Sequence, residues 1–194
     1  MVQAPVRRLS LEDYLAMDHN PNCLRFEIEN GIIRERAPES ELNRRIAMML
    51  LVFFSKLGIA PERLTMKTEI IVASNQVTAR EPDLMILSEE LAIALENAPS
   101  SIITNDLPRP DVVIEIVSPG KENRDRDYRY KRSEYATCRI PEYWIIDPEK
   151  QKVSVLQWVD GFYDVEEFTG EMAIVSSQFG TLALKPNQII VAKT

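Results

Sequence analysis

The run 111–118, DVVIEIVS, constrains this chain more than any other stretch. Near-continuous apolar sequence of that length marks a strand covered on both faces. Yet an acid, Glu115, stands inside it. Ser118-Pro119-Gly120 stops the run, Arg126 to Cys138 reads as a helix, and EYWIIDP (142–148) is a second strand of the same buried type. Strand–helix–strand is a crossover unit, and such units join parallel strands with a right-handed turn. The expectation is a helix-covered parallel pair with a carboxylate in its interior.

Simpler signals surround that unit. Ser10, with Asp13 three residues on, caps a short helix in LEDYLAM, and His19 to Asn22 forms a polar turn. In RFEIENGIIRER, Phe26, Ile28 and Ile32 alternate about Asn30-Gly31, a hairpin dipeptide, with Glu27 and Glu29 on the opposite face. The best helix runs from Ser40 to Leu57, with Leu42, Ile46, Leu50 and Phe53 at helical spacing and Gly58 as its stop. LTMKTEIIVAS and VTAREPDLMILS read as neighbouring strands joined near Asn75-Gln76. Ser88 caps EELAIALENA, and the proline-rich tract Pro99 to Pro110 reads as loop. KVSVLQWV, GFYDVEEF, MAIVSS and LALKP form an antiparallel meander turning at Asp160-Gly161 and Gly170. The economical reading is one α/β (α+β) domain over residues 1–194, a mixed sheet flanked by helices.

Composition excludes several classes. Of 194 residues, 45% are hydrophobic and 27% charged, the balance of a chain that builds a core without disulfides or structural metal. The longest apolar run, Ile46 to Phe54, is too short to span a bilayer. MVQAPVRRLSLEDYLAM lacks a secretory apolar stretch, and Cys23 and Cys138 make no disulfide framework, so a cytoplasmic location is expected. His19 and Cys23 lack the further ligands a structural metal needs. A net charge of −7 argues against non-specific coating of nucleic acid. Between Lys121 and Arg132, however, six bases (Lys121, Arg124, Arg126, Arg129, Lys131, Arg132) face three acids. That strip is either a phosphate-facing window or a solvated helix face laced with ion pairs.

Asp83, in EPDLMIL, and Glu115 are acids among apolar strand neighbours. A buried ionised carboxylate is paired, holds a metal, or titrates upward. Two acids on adjacent strands suit a hard cation such as Mg²⁺ or Mn²⁺, completed by water and substrate phosphate. The plainer alternatives are a strand-end turn residue at Asp83 and an arginine salt bridge at Glu115. Tyr128, Lys131 and Tyr135 share a helix face by spacing, which directs the Lys131 ammonium toward the strand ends unless it snorkels from a helix edge. Asp127, one turn earlier, either orients Lys131 or forms a surface pair with it. Tyr143 and Trp144 read as packing, Glu142 and Asp147 as strand-end residues, and Glu69 as an exposed strand acid or a weak further member of the acid cluster.

Phe26-Glu27-Ile28-Glu29-Asn30-Gly31, Pro82-Asp83-Leu84, Val113 to Pro119, then Lys131, Tyr135 and Pro141 to Pro148 together resemble the Uma family of restriction-type endonucleases, in the PD-(D/E)xK superfamily. The resemblance runs from about Leu9 to Val155 and is most specific between Glu115 and Pro148. It implies a restriction-endonuclease-like core, with Asp83 and Glu115 as metal ligands, Lys131 as catalytic lysine and Glu27 as an additional acid. It further implies hydrolysis of DNA phosphodiesters with Mg²⁺ or Mn²⁺, with Arg124, Arg126 or Arg129 neutralising flanking phosphates; double-strand cutting would in turn favour a two-fold homodimer by symmetry. The superfamily pattern sets its lysine two residues after the second acid. Here Val117 stands there and Lys131 takes the role from the following helix. Two alternatives stay open: a catalytically silent scaffold used for binding or assembly, and an enzyme for small phosphoesters.

Overall fold

The computed structural model describes residues 8–17, 26–35, 40–96, 98 and 100–190; the turn at His19 to Asn22, Cys23 and Pro99 lie outside them. Helix α1 (Leu11–Leu15) opens on a capping box in which Ser10 and Asp13 bond reciprocally, as its spacing predicts. Strands β1 (Phe26–Glu29) and β2 (Ile32–Glu35) form the expected hairpin, with φ positive at Asn30 and Gly31. Helix α2 (Glu41–Lys56) follows, capped by Ser40.

The next two segments depart from expectation. LTMKTEIIVAS divides into β3 (Leu64–Thr65) and β4 (Glu69–Ala73), and VTAREPDLMILS into β5 (Thr78–Arg80) and β6 (Leu84–Ile86). Pro82, which has no N–H for a ladder, lies at the second break. After α3 (Glu89–Glu96) come β7 (Ile102–Ile103), inside the tract expected to be loop, and β8 (Val112–Ile116). Each long segment thus gives one strand to each of two sheets, β2-β1-β5-β4-β7 and β11-β10-β9-β8-β6-β3. The single mixed sheet of the sequence reading is in fact two mixed sheets, with β4 and β7 parallel in the first and β8 and β9 in the second.

The helix after β8 begins earlier than Arg126. It comprises α4 (Lys121–Asp125), a π segment (Arg126–Lys131) and α5 (Arg132–Thr137). Strand β9 (Glu142–Asp147) then pairs parallel to β8, completing the expected crossover. Strands β10 (Lys152–Val159) and β11 (Phe162–Thr169) extend that sheet. The rest is reduced to β12 (Val175–Ser176) against β13 (Gly180–Thr181), and α6 (Pro186–Ile189). LALKP is not a strand; Leu182 and Leu184 are buried in the core.

Alternation along β8 decides which side of the six-stranded sheet each residue serves. Val112, Ile114 and Ile116 pack with Leu50, Phe54 and Trp144 beneath α2. Val113 and Val117 pack with Tyr135, Tyr143 and Ile145 beneath α5. Glu115, between them, is therefore aimed at α5. Full burial of Leu50 and Phe54 contributes about 1.5–3 kcal/mol each and fixes α2 against the sheet. Among the described residues no helix is long and apolar enough to cross a membrane.

Candidate functional site

Strands β6 and β8 are antiparallel with Leu84 opposite Ile114 and Met85 opposite Val113. Continuing that register by one pair sets Asp83, just before β6, across from Glu115. The half-buried Asp83 carboxylate turns to the end of β8, where Oδ2 accepts the Ile116 N–H at 2.7 Å. Asn43 of α2 holds the other side of that strand end, donating to the Ile116 carbonyl at 2.9 Å and to Ser118 Oγ at 3.2 Å.

Glu115 is 2% exposed. Its Oε1 accepts from Tyr135 Oη at 2.7 Å, and its Oε2 lies 2.7 Å from Lys131 Nζ. The partner is thus a lysine, where the plainer reading expected an arginine. Lys131 does not snorkel either, since its side chain is 3% exposed, and Asp127 Oδ1 meets the same ammonium at 3.1 Å. Asp127, also buried, is no surface partner. The expected face held Tyr128, Lys131 and Tyr135, whereas the buried set is Asp127, Lys131 and Tyr135, with Tyr128 swung aside to Asp147. The wider turn of the π segment, closed by i→i+5 bonds, moves the residue three before Lys131 off its face and keeps the one four before on it. Such segments are frequent at functional sites.

The electrostatics follow from two acids sharing one ammonium. Burial works against the charged lysine, but Asp127 and Glu115 outweigh it and hold the Lys131 ammonium above its usual range. Burial pushes the Asp127 carboxyl up, with Glu115 adding to the rise and Lys131 opposing it. Burial, then Glu115, keeps the Tyr135 phenol well above its ordinary value, so it serves as a donor. Glu115, Asp127 and Asp83 also reinforce the effect of burial on Tyr143, whose ring packs edge-on to Tyr135 at 5.0 Å.

A second cluster adjoins the first. Arg80 of β5, 1% exposed in its side chain, lies 2.7 Å from Glu134, 3.2 Å from Glu29 and 3.7 Å from Glu27. It clasps the hairpin to α5. Glu27 also lies 3.8 Å from Arg126, and its charge is felt at Lys131. Of the proposed phosphate contacts, Arg124 is engaged by Glu149 and by Asp147 at 3.6 Å, Arg126 is part-buried, and Arg129 is exposed. The sequence reading did not find Arg80 or Glu134. The available signal was a lone base inside the short β run VTAR.

The structure brings Glu115 and Lys131 into contact and sets Asp83 on the adjoining strand end. It leaves Glu27 nearer to Arg80 and Arg126. Among the described residues no group of three or more His, Cys, Asp or Glu side chains is arranged to hold a metal. The donor set fits a hard cation, because two carboxylates are what Mg²⁺ commonly takes from a protein. Val117, two residues after Glu115, is buried on the same face.

Among curated proteins none matches this chain. A crystal structure at 1.96 Å of a "putative nuclease belonging to DUF820" from Anabaena variabilis ATCC 29413 matches with a TM-score of 0.68. The two are 17% identical, and the match covers 94% of this chain and 97% of that one. The fold, mixed sheets flanked by helices, is therefore nuclease-like. The family model Uma2, described as "Putative restriction endonuclease", matches residues 11–186. Since that span takes in nearly all of the chain and both strands of the crossover, the chain belongs to the Uma2 family.

Proposed function

We propose that this chain is a divalent-metal-dependent endonuclease that hydrolyses phosphodiester bonds of DNA, with Asp83 and Glu115 holding Mg²⁺ or Mn²⁺ and Lys131 as the catalytic lysine. The observation that carries the reading is the buried contact of Lys131 Nζ with Glu115 Oε2 at 2.7 Å, on the strand end that Asp83 also reaches. When bound, the metal polarises the scissile phosphate and lowers the pKa of water. Tyr135 orients Glu115 through its hydroxyl. Lys131 brings a fixed positive charge to the phosphate without the strand position that Val117 occupies. Glu27 contributes a further negative charge beside Arg80 and Arg126. Exposed Arg129, with Lys121, Arg124 and Arg126, neutralises flanking phosphates and so supplies affinity rather than sequence choice. The whole chain acts as one domain, and a two-fold dimer would present two such sites to a duplex.

One observation favours a second reading. The Lys131 ammonium is already matched by Glu115 and Asp127, as in a scaffold whose acids serve only as ion-pair partners. A nicking assay on plasmid DNA with Mn²⁺ separates the two. Asp83→Asn and Glu115→Gln should each abolish cleavage while the circular dichroism of the fold persists. Lys131→Gln, whose amide can still donate to both acids, should do likewise. Cleavage by all three variants at the native rate would overturn the site assignment. No metal-dependent cleavage by the native chain of plasmid, single-stranded DNA or RNA would favour the scaffold.

A further inference from the structure

Resting on that reading, we propose that Asp127 is a positioning residue that takes the Lys131 ammonium from Glu115 when a divalent cation binds, and thereby lets Glu115 serve as a metal ligand. A cation that uses the Glu115 carboxylate must take it from an ammonium already 2.7 Å away. Two positive charges cannot share that oxygen at low cost in a site with 2% exposure. The ammonium therefore needs a second anion that does not belong to the strand, and Asp127 is that anion. It lies four residues before Lys131 on the same helical segment, 3.1 Å from Nζ, so their contact is independent of where β8 sits.

Three features fit Asp127 for this task. Its Oδ1 is buried and makes no hydrogen bond among the described residues, only the ion pair with Lys131 and a longer approach to Arg126 at 3.9 Å. It has capacity for a closer lysine. Its backbone is anchored, because Tyr143 Oη donates to the Asp127 carbonyl at 3.0 Å. Finally, Arg126 is aimed at Glu27 as well, at 3.8 Å, so it does not monopolise Asp127. Asp127 does not touch the metal or the substrate in this scheme. It acts through Lys131.

The test measures Mn²⁺ binding to the full chain without nucleic acid, by electron paramagnetic resonance of the free ion. Asp127→Asn leaves Glu115 as the one acid in contact with Lys131 among the described residues and should weaken Mn²⁺ binding about tenfold, a typical coupling between two sites. Asp127→Glu, which keeps the charge one methylene further out, should recover part of the loss. Lys131→Gln should tighten Mn²⁺ binding. In that background Asp127→Asn should have no further effect, since no ammonium remains to be held. An equal loss in both backgrounds would overturn the proposal, because it would make Asp127 a direct source of negative charge or a packing residue. So would an unchanged affinity in Asp127→Asn. If Asp127→Asn fails to fold, Asp127→Glu in the two backgrounds carries the same comparison. Glu115→Gln keeps the failures apart: native Mn²⁺ affinity in that variant would refute the metal site itself.

Discussion

Glu142 offers a sharp test of how the end of this fold is held. It opens β9 inside the sheet and is fully buried, with no cation beside it among the described residues. Four donors converge on the carboxylate: Trp144 Nε1 at 2.6 Å and Ser176 Oγ at 2.8 Å on Oε1, Ser177 N and Ser177 Oγ, both at 2.6 Å, on Oε2. Ser176 Oγ in turn accepts from the Gln178 and Phe179 N–H groups, so its own proton is committed to Glu142. In Glu142→Gln only one oxygen remains. Wherever the amide nitrogen points, it meets an N–H, from Trp144 or from Ser177, and leaves that donor buried without an acceptor. An orphaned donor costs about 1–3 kcal/mol, and the surviving bonds lose their charge assistance, giving a total of about 3 kcal/mol. For a chain of this size that is a fall in Tm of roughly 6–12 °C. Urea unfolding followed by tryptophan fluorescence measures it, and Ser177→Ala, which removes one hydroxyl and spares the backbone donor, should cost only about 1 kcal/mol. A loss below about 1 kcal/mol in Glu142→Gln would refute the reasoning, since it would mean the four donors find other acceptors.

Three further outcomes are expected. Arg80→Met removes the 1%-exposed guanidinium that faces the half-buried Glu134, Glu29 and Glu27, and should cost about 1.5–3 kcal/mol in chemical denaturation by taking away the charged donor they share. Gly31→Ala should destabilise by about 2 kcal/mol or more in the same assay, because φ is +73° and a Cβ would stand 2.7 Å from the Leu9 carbonyl oxygen. Hydrogen bonds from Arg44, then Arg45, lower the Glu41 carboxyl from 4.5 to about 2. A lowered acid stabilises the fold above its unfolded value and loses that contribution as pH falls through the folded one. The small difference in urea midpoint between the native chain and Glu41→Gln should thus be present at neutral pH, shrink from pH 4.5 toward about 2, and weaken with salt. A difference that grows in acid would contradict this sign.

The crossover was legible because its signals are local and redundant: an apolar run, a Pro-Gly stop, a helical period and a second apolar run. The hairpin was equally plain, since Asn30-Gly31 meets a backbone demand that few dipeptides satisfy. The division into two sheets was not. LTMKTEIIVAS and VTAREPDLMILS read as single strands by composition, and only Pro82 hinted at a break. Whether a strand continues in its sheet or crosses to another is decided by what covers it, here α5 against β4 and α2 against β8, and such long-range packing leaves no periodic trace. The start and the phase of the helix after β8 are not legible in the sequence. A π segment shifts the buried face by one residue, which is why Asp127 replaced Tyr128 beside Lys131.

Of the candidate residues, Glu115 stands out in the sequence by a general rule, that an apolar strand does not carry an acid without a partner, and Lys131 by its place on the helix that follows. Their partnership is poorly explained by stability. A buried ion pair gains little over apolar packing of the same volume, because desolvation offsets the Coulomb attraction. The surroundings make the comparison concrete. Tyr135, Tyr143, Val113 and Ile145 already pack as a core on that face, and a leucine or methionine at each charged position would extend it. Glu142 and Arg80 differ in this respect, since each reaches from its own strand to separate elements, Glu142 from β9 to β12 and Arg80 from β5 to the hairpin and α5. Glu115, Lys131 and Asp127 join a strand and a helix that the apolar core joins already. The proposed metal-dependent chemistry needs those charges, and it would account for a polar network that adds no connection, sits at a strand end beside Asp83, and concentrates two acids on one base.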